Sequence, residues 1–141
     1  MKAVEPTDRS RWQPLWEGYQ TFRKPPAEVT EMTWRRFFDG LEPVHALVAE
    51  EGEALIGFAH YLFHRSTAQL GCVCYLQDMF TVEAARGRGV GRAFIEAVCT
   101  RAKATGASRV YWNTQENNTT ARALYDKVAI LSGFVQYRKN L

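Results

Sequence analysis

The segment AARGRGVGRAF, residues 84–94, interleaves glycines with arginines and runs straight into an apolar pattern of helical period. Such a turn suits an anion. Glycines lack a Cβ and let the backbone come close to a ligand, and the free N–H groups and dipole of a helix start favour negative charge. Arg86, Arg88 and Arg92 add guanidinium groups of the kind that pair with phosphate. Two phosphate loops are excluded. A Walker loop ends Gly-Lys-Ser/Thr, whereas Gly91 is followed by Arg92 and Ala93. A dinucleotide fingerprint begun at Gly87 and Gly89 needs its third glycine where Arg92 stands. What remains is Arg86-x-x-Gly89-x-Gly91 between a strand and a helix. Taken alone, it reads equally as an anion cradle or as a basic surface turn with incidental glycines.

Other reactive side chains form no recognisable set. Cys72 and Cys74 lie two apart in a strand-like run, a poor disulfide geometry, and with Cys99 they lack the second half of a zinc site. Buried thiols in a reducing compartment are expected. His60 and His64 share a strand face without further metal ligands nearby in sequence, so hydrogen-bonded or cleft histidines are expected, and no metal.

The elements that must hold the glycine turn follow from periodicity. The stretch PTDRSRWQPLWEGYQTF carries Trp12, Leu15, Trp16 and Tyr19 at helical spacing, and PPAEVTEMTWRRFFDG predicts a second helix with Val29, Met32, Phe37 and Phe38 on its face. VHALVAEEGEALIGFAHYLFHR predicts a hairpin turning at Glu50–Glu53, and GCVCYLQDMFTVE a further strand. After the turn, Val90, Phe94, Ala97 and Val98 mark a helix ending at Thr105-Gly106. SRVYWNT predicts a short strand, NNTTARALYDKV a helix and GFVQYRK a last strand. The order implies an α/β chain: a mixed sheet with helices on its faces, residues 1–141 forming one domain.

YLQDMFTVEAARGRGVGRAFIEAV and NNTTARALY, in that order, resemble the GCN5-related N-acetyltransferase superfamily, over roughly the last two thirds of the chain. Among its branches the sequence is most similar to spermidine/spermine N-acetyltransferases and to yeast-type histone and polyamine acetyltransferases. The resemblance implies a central mixed, twisted β-sheet flanked by helices, with its central strands splayed. It also implies that the anion is the diphosphate of acetyl-CoA, gripped by a [Gln/Arg]-x-x-Gly-x-[Gly/Ala] motif. Arg86, Gly87, Arg88, Gly89, Val90, Gly91 and Arg92 then bind the cofactor. Main-chain groups of Met79, Phe80 and Thr81 line its pantetheine arm, and Asn118 and Ala121 of the Asn-x-x-Ala-x-x-Leu-Tyr pattern start the next helix against it.

By the same resemblance Tyr125 is the general acid that protonates the departing thiolate. The periodicity of its helix is equally that of a core tyrosine. Asp78 and Gln77 fall where relatives carry an acidic pair. Asp78 is the candidate to relay a proton from the acceptor amine or to fix its strand, while Gln77 departs from the pattern and cannot take a proton. Glu17, Tyr19 and Glu28 are candidates for the acceptor cleft. A second departure is LYDKVAILSGFVQY, which adds residues between Lys127 and Gly133 and puts the acceptor side or a dimer contact in question.

The expected acceptor is a small-molecule amine, polyamine-like, or alternatively a lysine side chain. The rival readings are a sensor that binds acyl-CoA without turnover, which Gln77 favours, and a nucleic-acid binder. The net charge of +3 is too small to argue for nucleic acid, and Glu83 and Glu96 break the basic stripe. Charges and a proline occupy the N-terminus where a signal peptide would be apolar, and no apolar run is long enough for a membrane helix, so a cytoplasmic protein without membrane or nucleic-acid partners is expected. A homodimer is expected from the resemblance, with the last strand meeting a second subunit.

Overall fold

The computed structural model describes residues 1–20 and 24–141. The end of the first predicted helical stretch, Thr21 and Phe22, lies outside them. The chain runs β1 (Lys2–Ala3), α1 (Arg9–Tyr19), α2 (Ala27–Arg36), β2 (Val44–Glu51), β3 (Ala54–Arg65), β4 (Cys72–Thr81), α3 (Val90–Thr105), β5 (Val110–Tyr111) and α4 (Thr119–Val128). The strands form one sheet in the order β1-β2-β3-β4-β5, antiparallel throughout except for β4 and β5, which run parallel.

Alternation along the strands divides the core between the two faces of the sheet. Leu47 and Ala49 of β2, Ala59 and Tyr61 of β3, and Cys74 and Leu76 of β4 pack with Phe94, Ile95 and Val98 of α3, and Leu124 and Tyr125 of α4 lean on the same cluster. On the opposite face Ala46, Val48 and Phe58 pack with Trp12 and Trp16 of α1 and Trp34 of α2. Phe94 and Trp12, the largest side chains at the two centres, are fully buried.

One irregularity sets the site. Tyr61 pairs with Leu76, yet its neighbour His60 pairs with Asp78, so Gln77 is an extra residue on β4 and a β-bulge. Regular alternation would turn Asp78 toward α3 with Cys74 and Leu76. The bulge inverts the strand, so Asp78 and Phe80 face α1 while Met79 joins the α3 side. Just before this point β4 also loses its other neighbour. It pairs with β5 only at Cys74–Val110 and Tyr75–Tyr111, and from Leu76 to Thr81 that edge has no partner strand among the described residues.

Two expectations need correction. The buried residues of α2 are Thr30 and Trp34, and Val29 and Met32 point to solvent. The helix is rotated because Trp34 packs on Trp12, with ring centroids 4.9 Å apart, and Thr30 Oγ1 accepts from Trp16 Nε1 at 3.2 Å. The last predicted strand does not form either. Residues 129–141 carry no helix or strand, and Ile130, Phe134 and Tyr137 are more than 90% exposed. A strand needs an edge to bond and a face to cover, and within this chain the segment meets neither.

Candidate active site

The glycine turn lies at the start of α3, below the open edge of β4. Gly87 and Gly89 have φ of +74° and +81°, the left-handed region that side chains disfavour, and no other atom lies within 4 Å of where a Cβ would stand at either. Ala93 N–H is the first of the helix to bond a carbonyl, that of Gly89 at 3.0 Å. Among the described residues the preceding N–H groups of α3 have no backbone acceptor, as at any helix start. Free helix-start donors and uncrowded glycines thus occur in one turn, a combination that suits a diphosphate. The arginines play a lesser part than their number suggests. Arg86 Nε donates to Thr81 O at 3.1 Å with its guanidinium over Phe80, Arg88 pairs with Glu51 of the hairpin, and Arg92 Nε pairs with Glu96 at 3.1 Å. The cradle is chiefly main chain and helix dipole.

Beyond the turn, the unpartnered edge of β4 through Met79, Phe80 and Thr81 offers backbone groups to an extended ligand arm. Asn118 caps α4, its Oδ1 accepting from Ala121 N at 3.3 Å. Tyr125 of α4 packs against the α3-side core, and its ring meets Trp112, just after β5, edge-on at 5.4 Å. Burial pushes the Tyr125 phenol above its ordinary value, so it stays protonated at neutral pH.

On the α1 side, Asp78 is held by a buried chain of hydrogen bonds. Trp12 Nε1 donates to His60 Nε2 at 3.1 Å, and His60 Nδ1 lies 3.0 Å from Asp78 Oδ2. An indole only donates, so His60 Nε2 is the acceptor, and its proton sits on Nδ1, directed at the carboxylate. The imidazole is wedged among aromatic rings, stacked on Phe58 at 4.5 Å and tilted against Phe37 at 4.9 Å. Tyr19 completes the group. Burial pushes its phenol well up, and the charge of Asp78 acts in the same direction. Its ring meets Phe58 and Phe80 edge-on at 5.6 and 5.9 Å.

A cavity of about 240 Å³ opens on Asp78 and His60, with Trp16, Phe37, Gln77 and Arg36 also in its lining. Gln77 is placed here by the bulge. Glu17 and Glu28 are not brought to it: they line a separate cavity between α1 and α2 together with Arg9 and Glu31. Arg36 is the site residue that sequence patterning missed, and His60, expected as a hydrogen-bonded or cleft histidine, is both, though its partners were not legible. Trp12 and His60 are 48 positions apart and no local period links them.

A family model described as the acetyltransferase (GNAT) family matches residues 9–129. The chain is 42% identical over 145 residues to the D-amino-acid N-acetyltransferase HPA3 of Saccharomyces cerevisiae, covering 99% of this chain and 89% of that protein. Among solved structures, a ribosomal-protein-alanine N-acetyltransferase from Brucella melitensis biovar Abortus 2308 shares the fold with a TM-score of 0.81 at 19% identity, covering 99% of this chain and 97% of the other. AAC(6')-Iy, solved in complex with a bisubstrate analog of coenzyme A and acetylneamine, does so with a TM-score of 0.82 at 18% identity over 99% and 97% of the two chains.

Proposed function

The chain belongs to the acetyltransferase (GNAT) family, and from that premise we propose that it acetylates the primary amine of a small molecule by direct attack, with Asp78 receiving the amine's proton and Tyr125 supplying one to the leaving sulfur. It is an acetyl-CoA-dependent N-acetyltransferase, and acetyl-CoA supplies the activated acetyl thioester. The turn from Arg86 to Arg92 holds the diphosphate, the open edge of β4 holds the pantetheine arm, and an N–H of that edge faces the carbonyl oxygen as charge grows on it. An aliphatic ammonium, of pKa about 10, must lose a proton before it attacks. Asp78, oriented by His60, takes that proton directly or through water. The protonated phenol of Tyr125 then donates to the departing thiolate.

The observation that carries these roles is the bulge at Gln77, which turns Asp78 to His60 and the acceptor cavity beside the stretch of β4, Leu76 to Thr81, that has no partner strand among the described residues. A cavity of about 240 Å³ suits a small acceptor better than a protein lysine and its flanking chain. A polyamine-like amine and the D-amino acids for which the yeast relative is named both present the required group. The free Cys72, Cys74 and Cys99 support a reducing, cytoplasmic setting, and the exposed apolar segment after α4 supports a homodimer.

Thiol release from acetyl-CoA in the presence of polyamines, amino acids, aminoglycosides and a lysine peptide tests the reading. Tyr125→Phe is expected to lower kcat by about 100-fold or more, with KM for acetyl-CoA little changed. Because burial raises its pKa, ionisation of Tyr125 should not limit the wild-type rate below about pH 10, the ordinary tyrosine value. Tight coenzyme A binding with no release from any amine would favour the sensor reading instead.

A further inference from the structure

We infer that the acceptor cavity contains a carboxylate subsite at Arg36 and is built for an α-amino acid, whose ammonium meets Asp78 and whose carboxylate meets the guanidinium. This deepens the acetyl-transfer reading and rests on it for the place of the amine. The cavity is bordered by one carboxylate, Asp78, and one guanidinium, Arg36, with Trp16 and Phe37 as apolar wall. A ligand carrying one charge of each sign matches such a pocket, and a diamine does not: its second ammonium would sit in the field of Arg36.

The engagement of Arg36 sets it apart from the other arginines whose pairs are described. Arg9 and Arg92 hold carboxylates at hydrogen-bond distance, 3.0 and 3.1 Å, and Arg88 grips Glu51 with two nitrogens. Arg36, the last residue of α2, has only Glu42 near its Nε, at 3.8 Å, which is beyond a hydrogen bond. Its side chain is 48% exposed and no hydrogen-bond acceptor engages it among the described residues. The two terminal nitrogens of the fork are the donors that take a carboxylate in a bidentate grip. Thr33, one turn earlier on α2, borders the same cavity with its hydroxyl. The bulge at Gln77 brings Asp78 to this cavity, and the C-terminus of α2 brings Arg36.

The test compares acceptors that differ only at the carboxylate: phenylalanine in both enantiomers, its carboxamide and phenethylamine, with putrescine as the diamine. Thiol release is measured for wild type, Arg36→Gln and Arg36→Lys. Wild type is expected to favour at least one enantiomer of the free acid over the carboxamide by about 10- to 100-fold in kcat/KM, the range of a charge-assisted hydrogen bond. Arg36→Gln should erase that preference, lowering kcat/KM for the free acid about 10-fold more than for the carboxamide or phenethylamine, and Arg36→Lys should restore part of it. Since the carboxamide serves as an internal control, a folding defect would lower both acceptors together. Equal use of acid and carboxamide by wild type, an equal loss on both in Arg36→Gln, or a preference for putrescine would overturn the subsite while leaving acetyl transfer intact. Release from none of the acceptors with any enzyme would bring down the acetyl-transfer reading and the subsite with it.

Discussion

His60 has a single tautomer open to it, and Trp12 chooses it. With Nε2 committed as acceptor from the indole at 3.1 Å, the Nδ1 proton is fixed on the line to Asp78, 3.0 Å away. On the proposed mechanism His60 is therefore a positioning residue: it keeps the carboxylate turned to the cavity without entering the proton path. His60→Asn places an amide donor near the former Nδ1, whereas His60→Phe keeps the ring stack on Phe58 and removes the donor. Both leave the Trp12 N–H unpaired and are expected to lose about 1–3 kcal/mol of stability alike. They should separate in kcat, His60→Asn staying within about threefold of wild type and His60→Phe falling about tenfold, with KM for acetyl-CoA unchanged in each. Steady-state kinetics beside thermal melts decides this, and equal kcat values would deny the positioning role. The Asn118 cap was legible in sequence because its spacing to Ala121 lies within one helix, whereas Tyr125 was marked by the family resemblance and not by its period. His60 was legible only as a buried or cleft histidine, since its partners lie on α1 and β4 and no period joins them.

At the scale of elements, the glycine turn and the bulge differ in how openly the sequence declares them. The turn declares itself, because left-handed backbone at Gly87 and Gly89 demands glycine and leaves a mark in composition. Gly91 is another case: a Cβ there would meet Leu124 and Met79 at 3.5 and 3.6 Å, ordinary contact distances. Gly91→Ala should therefore keep coenzyme A affinity within about threefold and gain up to about 1 kcal/mol as a better helix former. Gly89→Ala, at φ +81°, should cost about 1–2 kcal/mol and distort the cradle, weakening coenzyme A by about tenfold or more. Calorimetric titration with coenzyme A and denaturant melts of the two variants check the contrast, and similar behaviour would detach the motif from ligand binding. The bulge left no such mark. The pattern of CYLQDMFT, residues 74–81, is indifferent to one inserted residue, so the position of Asp78 could be read from the chain but not the face it takes. The same holds for α2, where Val29 and Met32 offer as good an apolar stripe as Thr30 and Trp34 until the indoles of α1 select between them.

For the whole molecule, the unsolved matter is the apolar surface that follows α4. Ile130, Leu131, Phe134, Val135 and Tyr137 are each at least 72% exposed, in a segment rich in residues that favour strands. The open side of β5, two residues long, stands at one end of the sheet as an edge with unused backbone groups. An apolar row of this kind is normally covered, and on the proposed dimer it is covered by a second copy, each tail seeking a sheet edge on its partner. The last strand expected from the sequence is absent here, because residue types that favour a strand form one only where an edge receives it. Sedimentation of the full chain and of a chain ending at Val128 tests the assignment. The full chain should sediment as a dimer at micromolar concentration and the shortened one as a monomer that still binds coenzyme A, because the turn from Arg86 to Arg92 makes no contact with the missing segment. A monomeric full chain whose tail amides are protected from hydrogen exchange would mean that the segment folds back on its own sheet, and a dimer that survives the deletion would place the interface elsewhere.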